Sequence, residues 1–301
     1  MIFPPSSGPD SWRPLQDFCA PARPHAEIWR TLVGLGLITV LYWSALAGVL
    51  HLFRWVQGEG AYLRLVVALS QAATPGGLVL MLSSFAPLAL AVVLVTRTLT
   101  DRPVATLFGP GAGRDAVRTA LPLIGLGVAL LPLALLDPNT GKSTSISTLL
   151  SWMPLALPLL AVQITAEELV FRGYLLQQMG ARWRSPLLWM VLPSVLFGLL
   201  HFDPASYGPM AFWPVLWATA FGCLASDLTA RTGNLGAALG FHFANNLSAI
   251  FLLGLYGELD GLSLYTVVID PRNPAALAPY MVTDAASMLV SWLALRLILR
   301  V

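Results

Sequence analysis

The balance of apolar and charged residues excludes an ordinary soluble domain. Of the 301 residues, 56% are hydrophobic and only 11% are charged, whereas about a quarter of the residues of a soluble domain are charged. A chain of this composition cannot cover its surface with polar groups, so we expect lipid to be its solvent. The net charge of +2 is spread along the chain without a basic cluster, which argues against a nucleic-acid partner.

Apolar runs of roughly 17–25 residues predict an all-α fold, a polytopic membrane bundle of about eight helices, because about 20 helical residues cross the hydrocarbon core. The first run follows a polar N-terminal segment and is long enough to be a signal anchor, so we expect no cleaved signal peptide. The fourth run is too long for one perpendicular crossing. The predicted spans are Thr31–Phe53, Gly76–Thr96, Ala116–Leu136, Leu149–Gly180, Pro186–Phe202, Ala211–Ala230, Leu235–Tyr256 and Met281–Leu299.

These runs divide the chain into four regions and set an expected orientation. A polar tail (1–30) precedes N-terminal transmembrane helices (31–146), a transmembrane core (147–256), and a loop with the last span (257–301). Eight spans place both termini on one side, and that side carries 12 arginines against four cationic residues opposite. The positive-inside rule therefore predicts a multi-pass protein of a bacterial plasma membrane with cytoplasmic termini. The acidic loop from Gly257 to Pro279 is expected to fold over one mouth of the bundle.

Ionisable residues at membrane depth are the first functional signal, because a charge at mid-bilayer costs about 2.5–3.5 kcal/mol. On a helix, Glu168 and Arg172 are four residues apart, in the order that favours an ion pair. Glu167 lies about 100° around the helix from Glu168 and has no such local partner. A cluster that only stabilises helix packing is the alternative, but it does not explain the unpaired acid. We therefore expect Arg172 to neutralise Glu168, and Glu167 to act on something else.

Two histidines fall in later spans that can pack beside these acids. His201 ends the next span, and in an antiparallel helical hairpin it lies at a similar height to Glu167, about 25 Å from the turn. His242 and Asn246 are four residues apart and share a helix face, and this spacing favours Asn246 over the adjacent Asn245 as the amide that faces the site. The alternatives are an interfacial histidine at a helix end and a structural hydrogen bond between helices.

The depths of these residues conflict under the expected orientation. The turn at Arg182–Ser185 would be cytoplasmic, which puts Glu167 nearer the outer face. His242 comes only about seven residues after Leu235 on the cytoplasmic side, so it would lie shallower. Either that span starts deep in the membrane, or the turn is submerged, or the orientation is inverted.

A carboxylate, two histidines and an amide can form two kinds of hydrolytic site. In one, Glu167 and His201 deprotonate a water molecule, and His242 and Asn246 donate hydrogen bonds to the oxyanion that forms when this water attacks a peptide carbonyl. In the other, Glu167, His201 and His242 bind a divalent metal such as zinc, which keeps an open position for water. Both sites hydrolyse an amide bond, and the sequence does not choose between them.

The three segments resemble the CPBP family, the CAAX prenyl proteases and bacteriocin-processing enzymes that are intramembrane proteases. The family pattern EExxxR, FxxxH and HxxxN stands here as Glu167-Glu168 to Arg172, Phe197 to His201, and His242 to Asn246. The resemblance covers residues 147–253, which makes the transmembrane core the catalytic region. It implies an endopeptidase in which the first glutamate and the FxxxH histidine activate water and the HxxxN pair stabilises the oxyanion. It also implies a peptide or protein substrate, with a prenylated CAAX tail the best-known example, and it leaves a glutamate-type protease and a metalloprotease equally open.

Two other functional classes are alternatives to an active endopeptidase. A catalytically silent membrane scaffold or immunity factor could share the fold, but it would not need the free Glu167. A transporter could use buried Glu, Arg and His as a proton relay, but the sequence shows no paired broken helices in two similar halves. Loss of activity without loss of folding on Glu167→Gln separates an enzyme from a silent scaffold.

Overall fold

The computed structural model describes residues 12–301, and this part of the chain is a bundle of α-helices with one small sheet. The polytopic helical bundle predicted from the sequence is confirmed. The helices are α1 (Arg13–Cys19), α2 (Ile28–Gln57), α3 (Glu59–Gln71), α4 (Pro75–Ser83), α5 (Ala86–Leu99), α6 (Ala105–Phe108), α7 (Ala112–Ala134), α8 (Ile146–Glu168), α9 (Leu176–Arg182), α10 (Leu192–Leu199), α11 (Pro204–Tyr207), α12 (Phe212–Thr232), α13 (Gly236–Leu247) and α14 (Pro274–Leu299).

Other regular segments join or extend these helices. Turns of π-helix occupy Leu169–Leu175, Leu187–Val191 and Ser248–Leu252, and 3-10 turns occupy Ala20–His25 and Gly208–Met210. The strands are β1 (Thr140–Lys142), β2 (Leu253–Leu255) and β3 (Tyr265–Val267). In the sheet, β3 is central, antiparallel to β1 and parallel to β2. Of the predicted polar tail, residues 1–11 lie outside the described residues, and much of the remainder is helical.

Fewer helices than predicted qualify as membrane spans. Within residues 12–301, five helices are long and apolar enough to cross a membrane, or six if α10 and α11, bent by 64°, form one broken span. The five are α2, the joined α4 and α5, α7, the joined α8 and α9, and α14. The count of eight is not confirmed, because two predicted spans fall on less suitable helices. One of these, α12, carries the Asp227–Arg231 ion pair (2.8 Å), and the other, α13, has only 12 residues.

The helix from Ile146 to Arg182 bears on the conflict between the depths of the site residues. It runs for 37 residues, or about 55 Å, against an apolar membrane thickness of about 30 Å. Part of it must therefore lie outside the hydrocarbon, and α1 packs against its α9 end. The turn after Arg182 need not lie at the membrane surface, because the length of the helix allows it to lie well beyond.

Part of the predicted loop folds back onto the bundle, although β3 and the first residues of α14 also lie within Gly257–Pro279. Leu259 N–H donates to the Gln71 carbonyl (3.3 Å) and Gly261 N–H donates to the Ala72 carbonyl (3.1 Å), which attaches the loop to the end of α3. Partial burial raises the pKa of the Glu258 carboxyl above its usual range. Leu259 also lines the large cavity described below, so the loop forms part of the cavity wall.

Two glycines let α13 approach α7 closely, and this contact places the polar residues of α13. Gly236 and Gly240 are four residues apart and face α7. A methyl group at Gly240 would overlap Thr119 Oγ1 and the Ala116 carbonyl oxygen. Small residues at this spacing are typical of closely packed membrane helices. His242 follows two residues after Gly240, so its position depends on this contact.

We expect Gly240→Ala to lower the free energy of unfolding by about 1–3 kcal/mol, because the added methyl group forces α13 away from α7. Gly125→Ala on α7 is the matched control, since no heavy atom lies within 4 Å of its added methyl group and alanine is the better helix former. Thermal unfolding of both variants in detergent measures the difference. Equal melting temperatures for the two variants would contradict the close approach.

Candidate active site

A single large cavity contains most of the polar residues singled out from the sequence. Its volume is about 1340 Å³, and side chains from α2, α7, α8, α10, α12, α13 and α14 line it. Most of the lining is apolar. Its polar members include four of the six candidate catalytic residues: Glu167, His201, His242 and Asn246. The structure thus brings residues that are distant in sequence to the lining of one cavity.

The other two candidates, Glu168 and Arg172, form a fully buried ion pair behind this lining. Arg172 Nη1 donates to Glu168 Oε1 at 2.9 Å, and the two side chains are 1% and 0% exposed. The guanidinium also lies over the Phe197 ring, 4.9 Å from its centroid. Removing one member of such a buried pair destabilises the fold, because the other charge is left unpaired in the interior. We therefore assign Glu168 and Arg172 to positioning, with no direct access to the cavity.

His242 joins the buried pair to the cavity. Its Nδ1 lies 2.8 Å from Glu168 Oε1, and its Nε2 lies 3.6 Å from Glu167 Oε2. Glu168 Oε1 also accepts from Arg172, which favours the ionised carboxylate, so Nδ1 of His242 carries a hydrogen. The ring packs edge-on against Phe221 at 5.0 Å. Glu168 thereby fixes the ring orientation and leaves Nε2 facing Glu167.

Glu167 is the one acid of the pair that faces the cavity. Its side chain is 15% exposed, and its contact with His242 at 3.6 Å is longer than a hydrogen bond. Among the described residues, Glu168 is thus paired with Arg172 and His242, whereas Glu167 has only the longer contact with His242.

His201 presents one ring nitrogen to a backbone carbonyl. Its Nδ1 lies 3.0 Å from the Phe197 carbonyl oxygen, and a carbonyl can only accept, so Nδ1 is the donor. In the neutral ring, Nε2 then carries a lone pair and can accept a proton from water. The residue is half-buried between α10 and α11, and the Phe197 ring packs against it at 4.8 Å.

Asn246 takes part in a short chain of side-chain amides. Its Oδ1 accepts a hydrogen bond from Asn245 Nδ2 (3.1 Å), and its own Nδ2 donates to Gln163 Oε1 (3.4 Å). Gln163 was missed in the sequence, although it lies one turn before Glu167 on the same face of α8. Phe197 was noted only as part of a motif, yet its ring contacts His201 and Arg172.

The proposed metal ligands do not form a coordination sphere in this arrangement. Within residues 12–301, no group of three or more His, Cys, Asp or Glu side chains is placed to hold a metal ion. Glu168 and the Phe197 carbonyl hold Nδ1 of His242 and of His201, which leaves Nε2 of each ring available, but these nitrogens and Glu167 do not form such a group. Metal binding by Glu167 and the two histidines therefore stays a prediction that the geometry does not favour, and no step below uses a metal.

Comparisons with known proteins agree with the resemblance seen in the motifs. Residues 149–248 match the family model described as type II CAAX prenyl endopeptidase Rce1-like, and this segment contains all six candidate catalytic residues. The family resemblance is thus confirmed for this part of the chain, and it supports a peptidase. An uncharacterized protein of Bacillus subtilis (strain 168), YyaK, is 29% identical over 184 residues, which is 58% of this chain and 61% of that relative. No solved structure matches.

Proposed function

We propose, from this family match and the geometry of the site, that the protein is an intramembrane endopeptidase that hydrolyses a peptide bond of a membrane-associated peptide or protein. One observation carries the proposal: within residues 12–301, Glu167 is a carboxylate without an ion-pair partner at hydrogen-bond distance, and it lines a largely apolar cavity. A purely structural acid would be paired, as Glu168 is. An acid facing a cavity can accept a proton from water.

In the proposed reaction, Glu167 and Nε2 of His201 hold a water molecule between them, and Glu167 removes one of its protons. The water oxygen forms a bond to the peptide carbonyl carbon, and the carbonyl electron pair moves to its oxygen. Collapse of this intermediate breaks the carbon–nitrogen bond, and the proton held by Glu167 passes to the leaving amine. Water is the only co-reactant, and the products are a carboxylic acid and an amine.

The oxyanion of the intermediate is stabilised by His242 and Asn246. Asn246 donates from Nδ2, and His242 donates from Nε2. Because Nδ1 of His242 already donates to Glu168, donation from Nε2 requires the imidazolium form. The carboxylates of Glu168 and Glu167 lie 2.8 Å and 3.6 Å from the two ring nitrogens of His242. Each such donor contributes about 10²–10³-fold to catalytic rates in hydrolases.

The shape and lining of the cavity support a lipid-associated substrate. Its volume of about 1340 Å³ exceeds the roughly 300–1,000 Å³ of ordinary ligand sites, and most lining residues are apolar. A peptide segment that carries a lipid group, or a hydrophobic membrane segment, would fit such walls. We therefore propose a substrate that reaches the site while attached to the bilayer, with a prenylated peptide as the first choice.

Cleavage of membrane-tethered and prenylated peptides by the purified protein tests the proposal. We expect the wild type to cut at least one peptide class and His242→Ala to lose most activity while staying folded. Cleavage that persisted unchanged in folded His242→Ala would exclude the proposed site. A wild type that bound these peptides in proteoliposomes without cutting them would instead support the silent scaffold.

We expect a chelator to leave cleavage unchanged, because the described residues provide no group of three metal ligands. The rate is measured before and after dialysis against EDTA, with the metal content determined by elemental analysis. Loss of activity on dialysis that added zinc restored would contradict direct activation of water and support the metal-bound alternative.

A further inference from the structure

Gln163 is a buried polar residue on the cavity wall that the reaction above does not use. It is 7% exposed and lies four residues before Glu167 on α8, so the two side chains share a helix face. A glutamine side chain in an apolar region requires hydrogen bonds to offset its desolvation. The only hydrogen bond of its side chain within residues 12–301 is the one that Oε1 accepts from Asn246 Nδ2. Its one polar contact is thus with a proposed oxyanion donor.

The orientation of the Asn246 amide decides whether that residue can stabilise an oxyanion. Its Nδ2 has two hydrogens, and the bond to Gln163 uses one, which leaves the second for the substrate. Its Oδ1 is occupied by Asn245 Nδ2. If the amide turned by 180°, Oδ1 could present its lone pairs to the developing negative charge and oppose the reaction.

We propose that Gln163 is a positioning residue, which holds the Asn246 amide with its second Nδ2 hydrogen directed into the cavity. This inference rests on the proposed function and deepens it, since it specifies how the oxyanion donor is oriented. Gln163 acts through Asn246 and does not contact the reacting atoms. An acceptor on α8 thus orients a donor on α13, across a separation of 83 residues in the chain.

Gln163→Met tests the inference because methionine keeps the length of the side chain and removes the acceptor. We expect kcat to fall about 5–30-fold, less than the roughly 10²–10³-fold for complete loss of an oxyanion donor, with KM within about twofold of the wild type. In an Asn246→Ala background, the same substitution should have no further effect on kcat, because the amide that it orients is gone.

Gln178→Met is the matched control for a buried glutamine on the same long helix. Gln178 is 1% exposed and its side-chain atoms have no hydrogen-bond partner within the described part of the chain. We expect its kcat to stay near that of the wild type. Equal kcat values for Gln163→Met and wild type, or an equal fall in both backgrounds, would overturn the inference and leave the proposed peptidase in place.

Thermal unfolding provides a readout that does not depend on cleavage. If Gln163 and Asn246 are hydrogen-bonded, the melting temperature of the double variant falls by less than the sum of the two single falls. Additive falls would overturn the inference even if the protein cleaved none of the peptides tested, whereas that absence of cleavage would count against the proposed function alone.

Discussion

Glu167→Gln is expected to lower the rate of peptide cleavage by about 10²–10⁴-fold, the usual contribution of a general base. Glutamine has nearly the same size and can still form hydrogen bonds, but it cannot accept a proton from water. In the described part of the chain, the only ion-pair contact of Glu167 is the 3.6 Å one with His242, longer than a hydrogen bond, so the melting temperature should stay near that of the wild type. Measuring kcat and KM with a membrane-tethered peptide, beside thermal unfolding, checks both parts.

The adjacent glutamate provides the control for this prediction. Glu168→Gln removes the charge that Arg172 and His242 share, so we expect a lower melting temperature. The two substituted residues are adjacent in the chain, yet Glu167→Gln should lower the rate of cleavage and Glu168→Gln should lower the melting temperature. A Glu167→Gln variant that cut its peptide at nearly the wild-type rate would show that the base lies elsewhere.

Arg172→Met is expected to lower the free energy of unfolding by about 3–5 kcal/mol, because it leaves the buried Glu168 carboxylate without its cation. Both side chains are essentially inaccessible, with exposures of 1% and 0%, so solvent cannot replace the lost partner. The orientation of His242 should also become less defined, which lowers cleavage. Chemical unfolding in a mixed-detergent system measures the difference in stability.

A pair on the surface provides the comparison for the arginine. Arg54 and Glu59 form an ion pair in which both side chains are about half exposed. We expect Arg54→Met to change stability by less than about 1 kcal/mol, because exposed pairs contribute little. Similar effects of the two substitutions would show that burial of the Glu168–Arg172 pair does not determine its contribution.

The parts of the site that lie within one helix could be predicted from the sequence. Glu168 and Arg172 belong to one helical stretch, and their four-residue spacing alone identifies the pair. The unpaired state of Glu167 follows from the same periodicity. The equal height of Glu167 and His201 expected from the helical hairpin stays a prediction, although both residues line the same cavity.

The parts that depend on packing between helices could not be predicted. The contacts of Glu168 with His242 and of Gln163 with Asn246 join residues 74 and 83 positions apart, and they require the position of α13 against α8. The number of membrane spans could not be predicted either, because the length of an apolar run does not show where a helix ends early or bends. In α10, a π-turn precedes the helix and a 64° bend follows it.

The location of Arg172 on the same helix as Glu168 has a consequence for biosynthesis. A lone charge would add about 2.5–3.5 kcal/mol to the cost of inserting that segment into a membrane. Because its counter-ion lies one turn away, Glu168 can be neutralised as soon as the helix forms, before α13 has been synthesised. His242, 74 residues later, then adds its contact when the inserted helices associate. The counter-ion of Glu168 is thus available within its own helix, whereas the completed site requires helices from distant parts of the chain to associate.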